Sequence, residues 1–174
     1  MILAFSTRFP TGKGNISLQP TYFIDKISRG LVINKQIDAF GFCGFYDDYK
    51  IKFLKPYDED ETEPPKLHTI RKDTKNRWKA GNDIHFNINV RTKNQFQFAP
   101  VIKCVSTQKI EVQKLNNTGN YLKDFVVSVD EKYLFVEHLV ELAKNDGFNS
   151  LESFFEYFSE DFTGKIIHWT NLKY

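Results

Sequence analysis

Six consecutive residues, Lys66-Leu67-His68-Thr69-Ile70-Arg71, bring an amine, a hydroxyl and a guanidinium into a segment that otherwise reads as a strand. Alternation of side chains puts Leu67, Thr69 and Arg71 on one face and His68 and Ile70 on the other. Lys66 is out of phase with Thr69. Pro64-Pro65 ahead of it favours an extended or turned approach, from which a long lysine stem reaches back over the strand end. Three polar ends placed in this way can converge on one anion or one carbonyl.

Lys72, Lys75 and Arg77 follow, then Trp78 and the turn Ala80-Gly81-Asn82, a pattern suited to a hairpin rim that meets something negative. The formal net charge of +2 conceals an uneven distribution. Residues 66–115 carry 11 Lys/Arg against 3 Asp/Glu, whereas residues 116–174 carry 5 against 10. A basic stripe of this kind raises the local anion concentration and is the electrostatic footprint of a nucleic-acid or nucleotide partner. The plainer alternative is that the basic strands neutralise acidic helices packed beside them.

The elements that must position these residues follow from periodicity and punctuation. Ile2-Leu3-Ala4-Phe5 reads as a buried strand ended by the turn Pro10 to Gly14. Thr21 is the expected N-cap of a short helix with Phe23, Ile24, Ile27 and Leu31 on one face, stopping near Gly30. Residues 34–65 read as an insertion with a small hairpin and a mobile acidic loop, Asp58 to Glu61. Strands are expected over 67–71, 83–91, 97–105, 108–114 and 121–128, and short strands at this spacing indicate a small barrel or sandwich. Asp130 is expected to cap a helix over 131–145 that ends at Asp146-Gly147, with the glycine left-handed. Asn149 and Glu152 suit a capping box for a second helix over 150–158. Residues 164–169 read as a closing strand.

A chain of 174 residues fits a single domain, 1–174, able to bury roughly two thirds of the surface its unfolded form exposes. With 41% hydrophobic residues, 16% aromatic and 17 Phe, it is not a disordered chain. No apolar run approaches the ~20 residues of a membrane helix. The order of charge and apolar residues at the N-terminus is wrong for a signal peptide, so a cytoplasmic location without membrane partners is expected. Cys43 and Cys104 stand far apart with no histidine at ligand spacing, and the four histidines are scattered, so no metal site is expected.

The element order, together with Lys66-x-x-Thr69-x-Arg71, resembles the ASCH family, whose members have an α+β, PUA-like fold, a small mixed β-barrel with flanking helices, and are tied to RNA or modified nucleosides. Phe5-Ser6-Thr7-Arg8-Phe9 looks like the family's first strand and Ile27-Ser28-Arg29-Gly30 like the end of its first helix. Trp78-Lys79-Ala80-Gly81 resembles the turn after the signature strand, Val101 to Val112 a barrel strand pair, and Leu142 to Phe148 the family's helix end. Residues 34–65 and about 115–128 have no counterpart.

Small bacterial members of that family include an amidohydrolase that removes the acyl group from N(4)-acetylcytidine. The resemblance implies a lysine, a threonine and a glutamate as catalytic residues, which fall on Lys66, Thr69 and Asp146. Asp146 departs from the pattern, being shorter than glutamate by one methylene, a reach of ~1.5 Å. In the implied scheme Thr69 attacks the acyl carbonyl and Lys66, its pKa lowered by burial and by Arg71, takes and returns the proton. Arg71 or backbone N–H groups hold the oxyanion, Asp146 orients Lys66 or serves the leaving amine, and no cofactor is required. Arg8, Arg77 and Trp78 are the further candidates for substrate contact. The alternative is a non-catalytic RNA-binding module that uses the basic 66–93 face for phosphates, with Trp78 or Phe86 stacking on a base.

Overall fold

Alternating burial along the strands sorts them into two sheets, and the helices fill the spaces these leave. The computed structural model describes residues 1–174. The chain runs β1 (Ile2–Phe5), a 3-10 turn (Gly14–Ile16), α1 (Phe23–Ile33), α2 (Ala39–Phe53), β2 (His68–Arg71), β3 (Asp83–Ile88), β4 (Phe96–Gln97) and β5 (Ile102–Lys103). It continues through β6 (Ser106–Lys114), α3 (Tyr121–Asp124), β7 (Phe125–Val129), β8 (Lys132–Tyr133), α4 (Val136–Asn145), α5 (Leu151–Tyr157) and β9 (Phe162–His168).

In the first sheet β1 lies parallel to β3, and β4 and β5 pair antiparallel with the two ends of β3. The second sheet is antiparallel in the order β2-β9-β6-β7-β8. The fold is therefore α+β. The strands do not close into a barrel: β1 and β2 are both sheet edges, and the guanidinium of Arg71 crosses from one to the other by donating to the Ala4 carbonyl at 2.8 Å.

The second sheet is the central layer because its strands bury both faces. Ile167 of β9 joins Leu3, Phe5, Ile27, Phe86 and Trp169 in a first core beneath the first sheet and α1. Its neighbour Ile166 joins Ile70, Ile110, Leu142 and Phe154 in a second core beneath α4 and α5. Each fully buried Ile or Phe here contributes about 1.5–3 kcal/mol of transfer free energy, so a one-residue register slip of β9 would empty both cores at once.

Several expectations are corrected. Residues 39–53, expected within a hairpin, form α2: the Asp38 carboxylate caps it by accepting from Gly41 N at 2.8 Å, and Tyr49 is buried against Tyr57 and Phe96. Asp130 does not cap a helix over 131–145. Asp130 and Glu131 have φ of 48° and 68° and form the two-residue hairpin turn between β7 and β8, so α4 starts only at Val136. The expected strand over 121–128 begins as a helical turn, because Asn120 accepts from Leu122 N and the Asp124 carboxylate gathers Thr118 and Gly119. The first helix runs through Gly30 to Ile33, and Gly30 is needed for packing: a Cβ there would lie 2.6 Å from the Lys66 carbonyl oxygen. α5 is capped by Ser150, which accepts from Ser153 N at 3.2 Å.

Candidate functional site

The end of α4 explains how the site is assembled. Gly147 is left-handed with φ 87°, Phe148 N donates to Ala143 O at 2.9 Å and Gly147 N to Lys144 O at 2.8 Å, the two bonds of a Schellman turn. This turn points the Asp146 side chain and the Asp146 and Gly147 carbonyls inward, at the negative end of the helix dipole, where cations are favoured. Two lysines answer them. Lys66 donates to the Asp146 carbonyl and, at 2.5 Å, to Asp146 Oδ1, while Lys26 of α1 donates to the Gly147 carbonyl at 2.6 Å. Asp146 Oδ1 also accepts from Ile70 N at 3.2 Å, and Leu67 N donates to Asn145 O at 2.8 Å, so the helix end and the start of β2 are stitched together.

Burial dominates the electrostatics. Lys66 is 1% exposed and Asp146 4% exposed. Desolvation pulls the Lys66 pKa down to about 8 against the opposing pull of Asp146, with Arg71 and Lys26 lowering it further. Desolvation likewise pushes Asp146 above the ordinary carboxylate value against the attraction of Lys66 and Arg71. The Phe23 ring, 4.6 Å from Lys66 Nζ, adds a cation–π contact.

His68 lies on the same side of β2. Its Nδ1 is 3.7 Å from Asp146 Oδ1, too far for a hydrogen bond, and its Nε2 is 2.9 Å from the Tyr174 hydroxyl. Burial first, then His168 and Lys66, push its pKa well below the ordinary value, so the ring is neutral.

Thr69 and Arg71 are on the opposite side of the sheet. Thr69 pairs with Ile167 of the first core, whereas Ile70 pairs with Ile166 of the second, and directly opposed residues share a face. The Arg71 guanidinium lies 4.9 Å from the Phe5 ring centroid in that first core. The structure thus brings Lys66 to Asp146 at the open edge of β2, whereas Thr69 and Arg71 alternate to the face of the first core. None of the principal cavities is lined by Lys66, Thr69 or Asp146.

The remaining candidates line the edge of β1. A groove of 720 Å³ runs past Met1, Ala4, Arg77 and Arg91, and an adjoining one of 400 Å³ runs past Ala4, Arg8 and Asn89. Arg77 and Arg91 are exposed, and Arg8 donates to the Leu18 carbonyl at 2.9 Å. Arg71 reaches the same edge at Ala4 with its Nε buried and without a hydrogen-bond partner. Trp78 only backs the groove. At 6% exposed it belongs to the first core, and so does Phe86; neither ring is free to stack on a base.

Lys26, Glu63 and Tyr174 were not singled out by the sequence. Lys26 carries a readable signal, a charge at i+3 from Phe23 and i−4 from Gly30 on the packed face of α1; Glu63 and Tyr174 carry none. No group of three or more His, Cys, Asp and Glu side chains is placed to hold a metal ion, and no helix is long and apolar enough to cross a membrane. Comparison with protein-family models, with curated proteins and with solved structures returns no match for this chain.

Proposed function

We propose that the protein is a PUA-like, ASCH-type module that binds RNA or a modified nucleoside along the edge of β1. The observation that carries this reading is the pair of grooves that meet at Ala4 and Val90, one lined by Arg77 and Arg91 and the other by Arg8, with Arg71 donating to the Ala4 carbonyl and keeping an unpaired Nε. Guanidinium groups suit phosphate recognition because each offers a planar fork of donors, and a buried donor without a partner gains a bond when a ligand oxygen arrives. The uneven charge of the chain, with its excess of Lys and Arg over residues 66–115, supplies the long-range attraction.

The test is the affinity for a labelled single-stranded RNA, followed by fluorescence anisotropy between 50 and 200 mM salt. Affinity should fall with salt, and Arg77→Gln/Arg91→Gln should reduce the slope of log K against log salt by about 1.4, roughly 0.7 for each lost phosphate contact. Binding that is absent, or indifferent to salt and to both substitutions, removes the reading.

One observation favours a second reading, hydrolysis of the amide of an N(4)-acylated cytidine: the Lys66 amine has its pKa pulled down to about 8, the direction a general base needs. In that reading Asp146 orients Lys66 and Thr69 is the nucleophile, so β2 must twist or the site must open for Thr69 and Lys66 to reach one carbonyl. Loss of the acetyl group from N(4)-acetylcytidine, abolished by Thr69→Ala in a folded protein, is the outcome this reading requires. Absence of turnover leaves the binding reading alone.

A further inference from the structure

Between α2 and β2 the chain crosses residues 54–67 without regular structure; Tyr57 enters the first core and Lys66 meets Asp146, and between these two anchors Glu63 also turns inward. Glu63 places Oε2 2.9 Å from the Lys26 ammonium and Oε1 3.3 Å from Asn149 Nδ2. Lys26 is itself 3% exposed, and its other partner is the Gly147 carbonyl, next to the carbonyl held by Lys66. Glu63 is therefore a carboxylate delivered to a built cationic pocket by a loop.

Three features distinguish this contact from a plain ion pair. Between the buried Tyr57 and the Lys66 N–H that donates to Lys26 O, and apart from the contacts of Glu63 itself, the loop is tied to the body by Arg29, whose Nη2 donates to the carbonyls of Asp60 at 3.1 Å and Glu63 at 2.8 Å. The loop carries Asp58, Glu59, Asp60 and Glu61 as well, and it brings Glu59 toward Asp25: Glu59 is raised by burial and then by the Asp25 and Glu61 carboxylates. Finally, a cavity of 40 Å³ remains beside the contact, lined by Tyr22, Lys26, Glu63, Gly147, Asn149 and Ser153 among others, so the pocket is larger than the carboxylate in it.

We propose that Lys26 and Asn149 form an oxyanion subsite which Glu63 occupies in cis, and that the phosphate or carboxylate of a ligand displaces Glu63 and lifts the loop. Displacement carries Glu59 away from Asp25, and the Lys26 ammonium keeps a counter-charge throughout, which a buried cation requires. Lys66 lies directly behind: a Cβ on Gly147 would be 3.3 Å from Lys66 Cδ, so a ligand seated on Lys26 stands one residue from the Lys66 and Asp146 pair. The subsite does not depend on what the β1 groove carries.

The experiment titrates inorganic phosphate and, separately, acetate into wild-type protein and Glu63→Ala. The readouts are the thermal midpoint and the rate of cleavage after Glu59 and Glu61 by a glutamate-specific protease. Removal of Glu63 should tighten the apparent affinity by the factor its occupancy imposes, about tenfold for a pocket filled about nine-tenths of the time. In wild-type protein the bound anion should speed loop cleavage. Lys26→Met should abolish both effects, and Lys26→Arg, which keeps the charge if Lys26→Met fails to fold, should retain them. Tighter phosphate than acetate assigns a phosphorylated ligand, and the reverse order a carboxylate. Equal affinities of wild-type protein and Glu63→Ala, or anion effects that survive Lys26→Met, overturn the proposal.

Discussion

The Lys66 ammonium and the Asp146 carboxylate meet at 2.5 Å with neither side chain open to water, and through them the end of α4 is fixed to the start of β2. A buried pair of this kind contributes little net stability relative to apolar replacements. Breaking it is another matter, because the survivor is left charged in a low-dielectric surrounding.

Lys66→Met or Asp146→Ala alone should cost about 3–5 kcal/mol in urea unfolding, whereas Lys66→Met with Asp146→Leu should cost less than either single change. The same geometry sets the ionisation of the amine. Because Asp146 holds the Lys66 pKa up against burial, Asp146→Asn should move it below its present value of about 8, followed by NMR titration of the lysine side chain. A rise instead would show that burial is not the dominant influence.

Acid should loosen the structure through its buried imidazoles. His68 and His168 sit opposite each other across β2 and β9 with ring centroids 5.3 Å apart, and both His168 nitrogens lack a hydrogen-bond partner. Burial pushes His168 down to about 4 and His68 well below 6.5. Since the unfolded chain takes up the protons first as pH falls, the stability these rings confer is complete above about 6.5 and is lost below it, down to about 4 for His168. The loss amounts to about 1.4 kcal/mol per pH unit per histidine. Urea midpoints measured from pH 7 to 4 should show this slope, and His168→Gln should flatten it by about half; an unchanged slope would assign the acid sensitivity to other groups.

Trp78 separates a core role from a stacking role. Its ring belongs to the first core, its backbone N–H donates to Asp73 Oδ2 at 2.9 Å and its carbonyl accepts from Lys165 at 2.8 Å. Trp78→Ala should therefore cost about 3–5 kcal/mol. Trp78→Phe, which keeps most of the packing, should leave RNA affinity unchanged. A large loss of affinity in a stable Trp78→Phe protein would place the ring at the ligand.

Local chemistry made part of this molecule legible in advance. Asp146-Gly147 as a helix stop, the alternation at Ile84, Phe86 and Ile88, and the strand through His68, Thr69 and Ile70 all depend on contacts within a few residues. The placing of Thr69 and Arg71 on one face, out of phase with Lys66, is also implicit in the alternation of side chains. α2 could have been read from Asp38 as a cap and from Phe42, Tyr46, Tyr49 and Phe53 at helical spacing, but Gly41, Gly44 and the exposed Phe40 blur that stripe. The turn at Asp130 and Glu131 carries no such signal, since two non-glycine residues adopt left-handed φ only because the pairing of β7 with β8 demands it.

What sequence spacing could not decide is which polar ends meet. Asp146 is 80 positions from Lys66, Glu63 is 37 from Lys26, and Tyr174 is 106 from His68. Composition and periodicity determined that the chain would build a mixed α+β domain with a basic middle segment. Tertiary packing alone decided that Lys66 would meet the inward-turned end of α4, because a buried cation goes where a helix terminus, a carboxylate and a backbone carbonyl already compensate it.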